Sequence, residues 1–220
     1  MWDNSNDQGY ADYYANFAGI QKDPKTGKYL DKPTMADNIS FFFQYQLNWM
    51  YWRYFMWNFA GKQNDLQGID MGNVRDGNWI TGISFWDNAR LGDQSKMPDS
   101  IKHNKANNKL FALPLLLGLL GLIYQYQKDK ENGLVVGLLF FFTGIAIVIY
   151  LNQAGNQPRE RDYAYVGSFY AFAMWIGLGV MYVKELFQKY MNAKTANYVA
   201  GGLCLLAVPV LMANQEWNDH

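Results

Sequence analysis

The sequence predicts an all-α fold, a polytopic helical membrane protein with about four transmembrane helices, an aromatic interfacial helix and an outer loop region. Four apolar runs fill the second half of the chain, an unusually aromatic run precedes them, and a Gly- and Asn-rich stretch separates the two. We therefore divide the chain into a polar N-terminal segment (1–33), the aromatic helix with an extracytoplasmic loop region (34–109) and a four-helix transmembrane region (110–220).

Composition argues against several classes of function. The 220 residues carry a formal net charge of zero, whereas a nucleic-acid-binding protein shows a basic patch or stripe. The single cysteine, Cys204, precludes an intrachain disulfide. His103 and His220 lie far apart without cysteine neighbours, so no zinc spacing exists, and we predict neither a metal nor a cofactor. The chain opens on polar residues and not on a signal peptide.

Two local signals mark the polar segment and its end. Residues 23–28 read Asp-Pro-Lys-Thr-Gly-Lys, a composition that predicts a turn. Thr34 followed by Asp37 resembles a capping box with Asp in the Glu position, so we expect a helix to begin directly after Thr34.

The first helix after this signal is dominated by aromatic residues. From Phe41 to Phe59 more than half of the side chains are aromatic, and Arg53 is the one charge. Transmembrane helices usually confine Trp and Tyr to their ends, whereas here both occur throughout, among Gln and Asn. We interpret a helix at the membrane interface, with a spanning helix as the alternative. We expect Arg53 to be a structural residue held by cation–π contacts, with a second phosphate contact as the alternative.

Residues 61–109 are rich in Gly, Asn and Asp, with short apolar pieces between the glycines. This composition predicts an ordered loop region with short helices outside the hydrocarbon.

The four apolar runs cover residues 110–126, 134–151, 164–183 and 199–213. A spanning helix needs about 20 residues, so the second and third runs fit well, while the first and fourth need flanking tyrosines in the headgroup layer. Lysines in the connectors after the first and third runs favour the cytoplasmic side. The loop region and the connector after the second run then lie outside.

That connector carries Arg159, Glu160, Arg161 and Asp162 at the membrane boundary, where charges are costly. Arginine forks match phosphate oxygens, and residues two apart in an extended segment point the same way, so both can reach one phosphate. A helix starting near Tyr163 would add free N–H groups. The alternatives are snorkelling arginines in a solvated loop and an internal salt-bridge cluster. The orienting or acceptor-binding candidates are Glu160, Asp162, Tyr163 and Tyr165.

A second polar group follows the aromatic helix directly. Its amides, lysine and acid can bind sugar hydroxyls, with the ring of Trp57 offering a flat face. The alternative is a helix C-cap formed by Gly61 and a turn. The sugar-binding candidates are Trp57, Asn58, Lys62, Gln63, Asn64 and Asp65.

Three stretches together resemble signatures of one bacterial membrane family. They are residues 50–65 (MYWRYFMWNFAGKQND), residues 156–172, which begin NQPRERDYAY, and residues 214–220 (NQEWNDH). Each resembles the protein O-mannosyltransferase-like group of Bacteroidetes, and the resemblance covers nearly all of residues 34–220. It implies a C-superfamily glycosyltransferase that transfers a mannose-like sugar from a polyprenyl-phosphate donor to a protein acceptor, on the extracytoplasmic face of the bacterial inner membrane.

The resemblance also implies partners. These are the lipid bilayer, the lipid-linked donor, the protein acceptor and N-terminal membrane helices of the same polypeptide, near which the family keeps its catalytic acid. We therefore expect this chain alone to transfer no sugar, and we assign no catalytic residue. Two other readings stay open: a non-catalytic integral membrane protein that binds a lipid-linked sugar or scaffolds a partner, and a transporter. Transporters place polar groups in broken helices at the midplane, whereas the second and third runs here carry no charge.

Overall fold

The structure, a computed structural model, describes residues 8–68, 71–155 and 159–215. Helices dominate these ranges. They are α1 (Gln8–Ala18), α2 (residues 35–59), α3 (Ser84–Leu91), α4 (Asp99–Lys102), α5 (Leu113–Lys128), α6 (Lys130–Leu151), α7 (Asp162–Gln188) and α8 (Ala193–Ala213). Two short strands, β1 (Gly61–Lys62) and β2 (Asn108–Lys109), pair antiparallel.

The polar N-terminal segment contains a helix that the sequence analysis missed. Helix α1 buries Ala11, Tyr14 and Ala15, an i, i+3, i+4 pattern that defines one helical face. The Tyr14 ring packs 4.7 Å from the Phe41 ring, centroid to centroid, so α1 is held against α2. The predicted turn that follows is confirmed, because the Asp23 carboxylate accepts from the Lys25 N–H at 2.8 Å.

Helix α2 begins at the predicted capping box. The Thr34 hydroxyl accepts from the Asp37 N–H at 3.3 Å, and the Asp37 carboxylate accepts from the Thr34 N–H at 2.8 Å. The helix runs through Met35–Phe41, a wider π-helical stretch Phe42–Trp52, and Arg53–Phe59. Phe41, Tyr45 and Trp49 are buried and recur every fourth residue, a spacing that suits a turn wider than the 3.6 residues of an α-helix.

Protein surrounds most of α2. In its last segment every side chain except Asn58 is buried. Phe55 meets Phe172 of α7 with ring centroids 4.8 Å apart, and Tyr51 meets Tyr165 at 5.3 Å. Helix α2 is therefore largely internal to the fold, although Phe43, Gln44, Asn48 and Trp52 remain exposed. Its position at the membrane interface stays a prediction.

The backbone at Gly61, just after α2, differs from the helix C-cap with a turn that was the alternative for this residue. Its φ is +139°, and a Cβ there would lie 2.3 Å from the Asn108 carbonyl oxygen and 2.8 Å from that of Ile80. Backbones therefore approach Gly61 from two sides, and only glycine fits between them. The chain continues into β1, and the short helices α3 and α4 confirm the predicted loop region with helical pieces.

Three of the described helices are long and apolar enough to cross a bilayer. They are α6 with 22 residues, α7 with 27 and α8 with 21. Helix α5 has 16 residues, a length of about 24 Å at 1.5 Å per residue, which is shorter than a hydrocarbon core of about 30 Å. The chain is thus a membrane protein by these three helices, and the fourth span stays a prediction.

Helix α5 nevertheless packs closely against α7. A Cβ at Gly121 would lie 1.7 Å from the Trp175 carbonyl oxygen, and one at Gly179 would lie 2.1 Å from that of Leu117. The Trp175 indole N–H donates to Gln125 Oε1 at 2.6 Å. Small residues that let two backbones approach are the usual basis of helix contacts in membranes, so the glycines explain how α5 joins the bundle.

The polar regions gather at one end of this bundle. The Lys109 N–H donates to Gln215 Oε1 at 3.3 Å, which joins β2 to the end of α8. The lysine-rich connectors lie at the opposite end, where Lys128 pairs with Glu185 at 2.9 Å. The two polar motifs of the sequence therefore share one end of the bundle.

Candidate functional site

Glu160, in the connector between α6 and α7, accepts hydrogen bonds from three residues. Arg53 of α2 holds its carboxylate with both arms of the guanidinium, Nη2 to Oε2 at 2.7 Å and Nη1 to Oε1 at 3.2 Å. The Tyr54 hydroxyl donates to Oε2, and the Gly68 N–H donates to Oε1 at 3.0 Å. Bidentate pairing is the strong form of an arginine–carboxylate contact, so Glu160 fastens the connector to α2.

Arg53 is buried and fully engaged. Only 2% of its surface is exposed, and its guanidinium carbon lies 4.1 Å from the Trp49 ring centroid and 4.8 Å from that of Trp57. Its Nε donates to the Trp49 carbonyl at 3.0 Å, and Nη1 also donates to the Gly77 carbonyl at 3.1 Å. These contacts confirm Arg53 as a structural cation–π residue. They add the carboxylate partner that the sequence analysis did not name.

The Tyr54 hydroxyl extends the Glu160 network by one step. It donates to the carboxylate and accepts from the Arg161 N–H at 3.3 Å. Burial raises the pKa of Tyr54, the nearby Arg53 charge lowers it and Glu160 raises it, with a net increase. Tyr54 therefore stays a protonated donor across the range of physiological pH.

Arg159 and Arg161 have no ion-pair partner within the described residues. Arg159 is exposed, and its Nη2 donates to the Tyr163 hydroxyl at 3.2 Å. Arg161 is partly buried, and its Nε is buried without a hydrogen-bond partner in the described chain. The alternative of an internal salt bridge that positions the connector is met in part, because Glu160 pairs with Arg53, whereas Arg159 and Arg161 take no part in that ion pair.

The two tyrosines of the connector have different surroundings. Helix α7 begins with a 3₁₀ turn, Asp162–Tyr165, near the predicted start. Tyr163 is 57% exposed, whereas Tyr165 is fully buried and its hydroxyl lacks a hydrogen-bond partner in the described chain. Arg159 therefore lies with an exposed tyrosine, and Arg161 acts electrostatically on a buried one. The predicted convergence of both arginines on one phosphate stays a prediction, and residues 156–158 of the motif lie outside the described residues.

A cavity of about 120 Å³ brings residues of both polar motifs together. Trp57 and Asn58 of α2 line it, with Lys62 of β1, Asn108 of β2 and Asp162 of α7. Four predicted site residues from two motifs a hundred positions apart therefore meet in one place. Among the residues that the structure describes, no group of three or more His, Cys, Asp and Glu side chains is arranged to hold a metal ion.

Two residues that line the cavity carry buried polar atoms that lack a hydrogen-bond partner in the described chain. Trp57 Nε1 is such a donor and Asn108 Oδ1 such an acceptor, and both are buried. The Lys62 ammonium lies 4.0 Å from the Trp57 ring centroid, so it already covers the flat face that we predicted for a sugar. Burial lowers the pKa of Lys62, and the charges of Asp162 and Glu160 oppose this change. Unpaired buried groups cost about 1–3 kcal/mol each, so they call for an explanation.

Gln63, Asn64 and Asp65 do not line this cavity. Gln63 Nε2 donates to the Val74 carbonyl at 3.0 Å, and Asn64 Oδ1 accepts from the Gly77 N–H at 2.8 Å. Asp65 is exposed, and its carboxylate accepts from the Asn104 side-chain amide at 2.7 Å. The hydrogen bonds of these residues hold the outer loop region together, so the geometry gives them a structural role.

Sequence reasoning missed three residues that build the site, namely Tyr54, Gly68 and Asn108. One signal was available for the network around them. A single arginine inside an aromatic helix needs a counter-charge if it is buried, and an unpaired buried charge is not stable. The acids of the connector were the candidates for that partner.

Comparison of the chain with protein-family models, with curated proteins and with solved structures finds no match. The resemblance to the protein O-mannosyltransferase-like family therefore stays a prediction.

Proposed function

We propose that this chain is the donor-binding part of a membrane glycosyltransferase. It holds a mannose-like sugar on polyprenyl phosphate at the extracytoplasmic face of the bacterial inner membrane. The observation that supports this proposal is how the charges divide around Glu160. Arg53 takes the carboxylate, which leaves Arg159 and Arg161 without an acid partner in the described chain at the end of a membrane helix. Unpaired cations are costly there, and a lipid phosphate neutralises them.

The phosphate contacts follow from the side chains. The guanidinium of Arg161 offers a buried Nε donor that no described residue accepts from. Arginine presents its donors in a planar fork that matches two phosphate oxygens. The first N–H groups of α7 point back toward the connector, and the start of a helix favours an anion.

The sugar contacts lie in the neighbouring cavity. Asp162 follows Arg161 directly and lines the cavity, so one step along the chain connects the phosphate contact to the sugar contact. The unpaired Trp57 Nε1 and Asn108 Oδ1 supply a donor and an acceptor for hydroxyl groups. At about 120 Å³ the cavity is well below the ~300–1,000 Å³ of sites for larger ligands, which favours one sugar unit over a chain of sugars.

The bilayer anchors the site through four helices in this proposal. Helix α5 crosses the bilayer as the fourth spanning helix and is the least tilted of the four. Tyr124 and Tyr126 lie in the headgroup layer, where tyrosine is enriched. Its close glycine contacts with α7 hold it at the depth of the other three.

A non-catalytic donor-binding protein is the second candidate, and one observation favours it. A transferase needs a base for the acceptor hydroxyl, but both Glu160 oxygens already accept from Arg53, Tyr54 and Gly68. Asp162 lines the cavity and is the carboxylate that we assign to orienting the sugar or acceptor. Both candidates predict no turnover by the purified chain with a polyprenyl-phosphate sugar and a peptide acceptor, so turnover would exclude the second candidate and overturn the expectation that this chain alone is inactive.

The test of donor binding compares three lipids with the protein in nanodiscs. We expect polyprenyl-phosphate mannose to bind more tightly than polyprenyl phosphate, and polyprenol to bind least, measured by native mass spectrometry. Asp162→Asn should remove the advantage of the mannosyl lipid. Asp65→Asn, an exposed acid outside the cavity, is the matched control and should keep it. Equal binding of polyprenol and polyprenyl phosphate contradicts the proposal.

The orientation is tested by cysteine labelling in intact cells, on a Cys204→Ser background. Ala89→Cys, in exposed α3, should react with a membrane-impermeant maleimide from outside, and Asp129→Cys should not. Labelling at position 129 from outside overturns the orientation.

A further inference from the structure

A second and larger cleft, of about 450 Å³, opens between α2 and α3, where it uses none of the predicted site residues. Its walls include Gln44, Asn48 and Trp52 of α2, Trp79, and Arg90 of α3. Arg53 borders it as well, but its guanidinium is bound to Glu160. The cleft is therefore distinct from the donor site, and its volume lies within the range of small-molecule sites.

The wall from α2 combines amides with an exposed indole. Gln44, Asn48 and Trp52 are spaced four apart in the π-helical stretch, so they form one stripe along the cleft. Trp52 is 41% exposed, and its ring stacks on Phe55 at 5.2 Å with an interplanar angle of 19°, which fixes the orientation of the indole. The Asn48 amide has no hydrogen-bond partner in the described chain and is exposed. A fixed indole beside amide groups suits a sugar, whose C–H face packs on the ring while its hydroxyls pair with the amides.

Arg90 adds a charge without an acid partner in the described chain. Its guanidinium carbon lies 3.7 Å from the Trp79 ring centroid, and one arm donates to the Trp79 carbonyl. Its Nε is buried without a hydrogen-bond partner in the parts of the chain that the structure describes. Asp87, three residues before Arg90, accepts from the backbone N–H groups of Thr81 at 2.9 Å and Gly82 at 2.7 Å.

Arg90 nevertheless keeps its charge. Burial lowers its pKa to about 10, and the Asp87 charge opposes this change. The guanidinium is therefore protonated at neutral pH, held flat on an indole, with an N–H that no described residue accepts from. A planar carboxylate, with two oxygens in the plane of the fork, matches such a group.

We propose that this cleft binds an oligosaccharide that carries a carboxylate, with a sugar ring on Trp52, hydroxyls on the amides of Gln44 and Asn48, and the carboxylate on Arg90. Indole and amide walls favour a carbohydrate over an acidic peptide, since the stripe on α2 offers no row of backbone groups for an extended chain to pair with. The inference goes beyond the proposed function and does not depend on it, because it concerns a different ligand on different side chains.

The experiment uses the whole protein in nanodiscs and a trimer of galacturonic acid, with its methyl ester as the matched neutral probe. Binding is measured by saturation-transfer NMR and by isothermal titration. We expect the acid to bind about tenfold or more tightly than the ester, since a hydrogen bond to a charged group is worth about 1.5–3 kcal/mol. Arg90→Gln should remove that preference while the ester still binds.

Because Arg90 packs on Trp79, its substitution can disturb the fold. Two further variants therefore test the cleft without changing Arg90. Trp52→Ala removes an exposed ring and should weaken both probes, whereas Trp86→Ala, a 57% exposed indole of α3 outside the cleft lining, should weaken neither. Arg161→Lys should also leave this binding unchanged, which separates it from the donor site. Absence of binding to wild type, equal binding of acid and ester, binding insensitive to Trp52→Ala, or preference for an acidic peptide of equal charge overturns the proposal.

Discussion

Arg53 and Arg161 both lie beside Glu160 and its connector, yet their surroundings are opposite. Arg53 is 2% exposed, bidentate with Glu160 and packed between indoles, and its donors are used by the protein. Arg161 follows Glu160 in sequence but lacks an ion pair in the described chain, and its Nε has no partner there. The Glu160 carboxylate therefore serves one of the two arginines, Arg53. Within the described residues the carboxylate pairs with the structural arginine, and in our proposal the other arginine binds a ligand.

The different surroundings of Arg53 and Arg161 predict different effects of removing each side chain. Removing one partner of a buried ion pair leaves an uncompensated charge and costs about 3–5 kcal/mol. Removing a cation that has no acid partner in the described chain should cost less stability, because no ion pair is lost. Stability should therefore follow Arg53, and donor affinity should follow Arg161.

The largest expected effect is at Arg53. Arg53→Ala leaves Glu160 without its fork and opens a gap between Trp49 and Trp57, so we expect a loss of about 3–5 kcal/mol in the free energy of unfolding. Chemical denaturation in nanodiscs, followed by tryptophan fluorescence, measures it. Arg159→Ala, at an exposed arginine of the same region, is the control and should change it by less than about 1 kcal/mol. Equal losses at both positions contradict the comparison.

A smaller loss of stability is expected at Tyr54, whose hydroxyl connects Glu160 to the Arg161 backbone. Tyr54→Phe keeps the ring but removes the hydroxyl between Glu160 and the Arg161 N–H, so a loss of about 1–2 kcal/mol is expected in the same denaturation experiment. Tyr163→Phe, which removes an exposed hydroxyl bonded to Arg159, should be close to neutral. If Tyr54→Phe is also neutral, the hydroxyl does not link the connector to α2.

The smallest loss of stability is expected at Thr34, the N-cap of α2, which lies far from both arginines in sequence. Thr34→Ala removes the cap of α2 and should cost about 1 kcal/mol, measured as before. Hydrogen bonds from Thr34 lower the pKa of Asp37 below 3.8, so the stability that Asp37 contributes is present above its unfolded pKa. It is lost as the pH falls through the lower folded value. In Thr34→Ala that acid-range dependence should shrink, and an unchanged dependence contradicts the cap.

Local signals predicted much of the fold. The capping box at Thr34, the turn at residues 23–28 and the apolar runs of α6, α7 and α8 depend on neighbours in sequence, so a linear reading suffices for them. The buried position of α2 could not be predicted from the sequence, because its aromatic composition is equally suited to a membrane interface. What buries α2 is contact with α6 and α7, which the sequence of α2 does not encode.

The site was predictable in its residue types but not in its pairings. Lys62 and Gln63 are adjacent in an extended stretch, where successive side chains point to opposite sides. One therefore lines the cavity while the other ties the outer loop region, although the sequence presents them as one polar group. The bond from Arg53 to Glu160 spans 107 positions, and no periodicity connects residues so far apart.

In our proposal Arg161 binds a phosphate, whereas Arg53 stabilises the fold. The most direct measurement is Arg161→Lys, with polyprenyl-phosphate binding and the free energy of unfolding determined on the same nanodisc sample. Lysine keeps the charge but lacks the planar fork, so we predict binding weakened several-fold with unfolding unchanged, and Arg161→Ala weaker still by about 1.5–3 kcal/mol. Donor binding that stays intact in Arg161→Lys, or lost stability with unchanged affinity, contradicts the account.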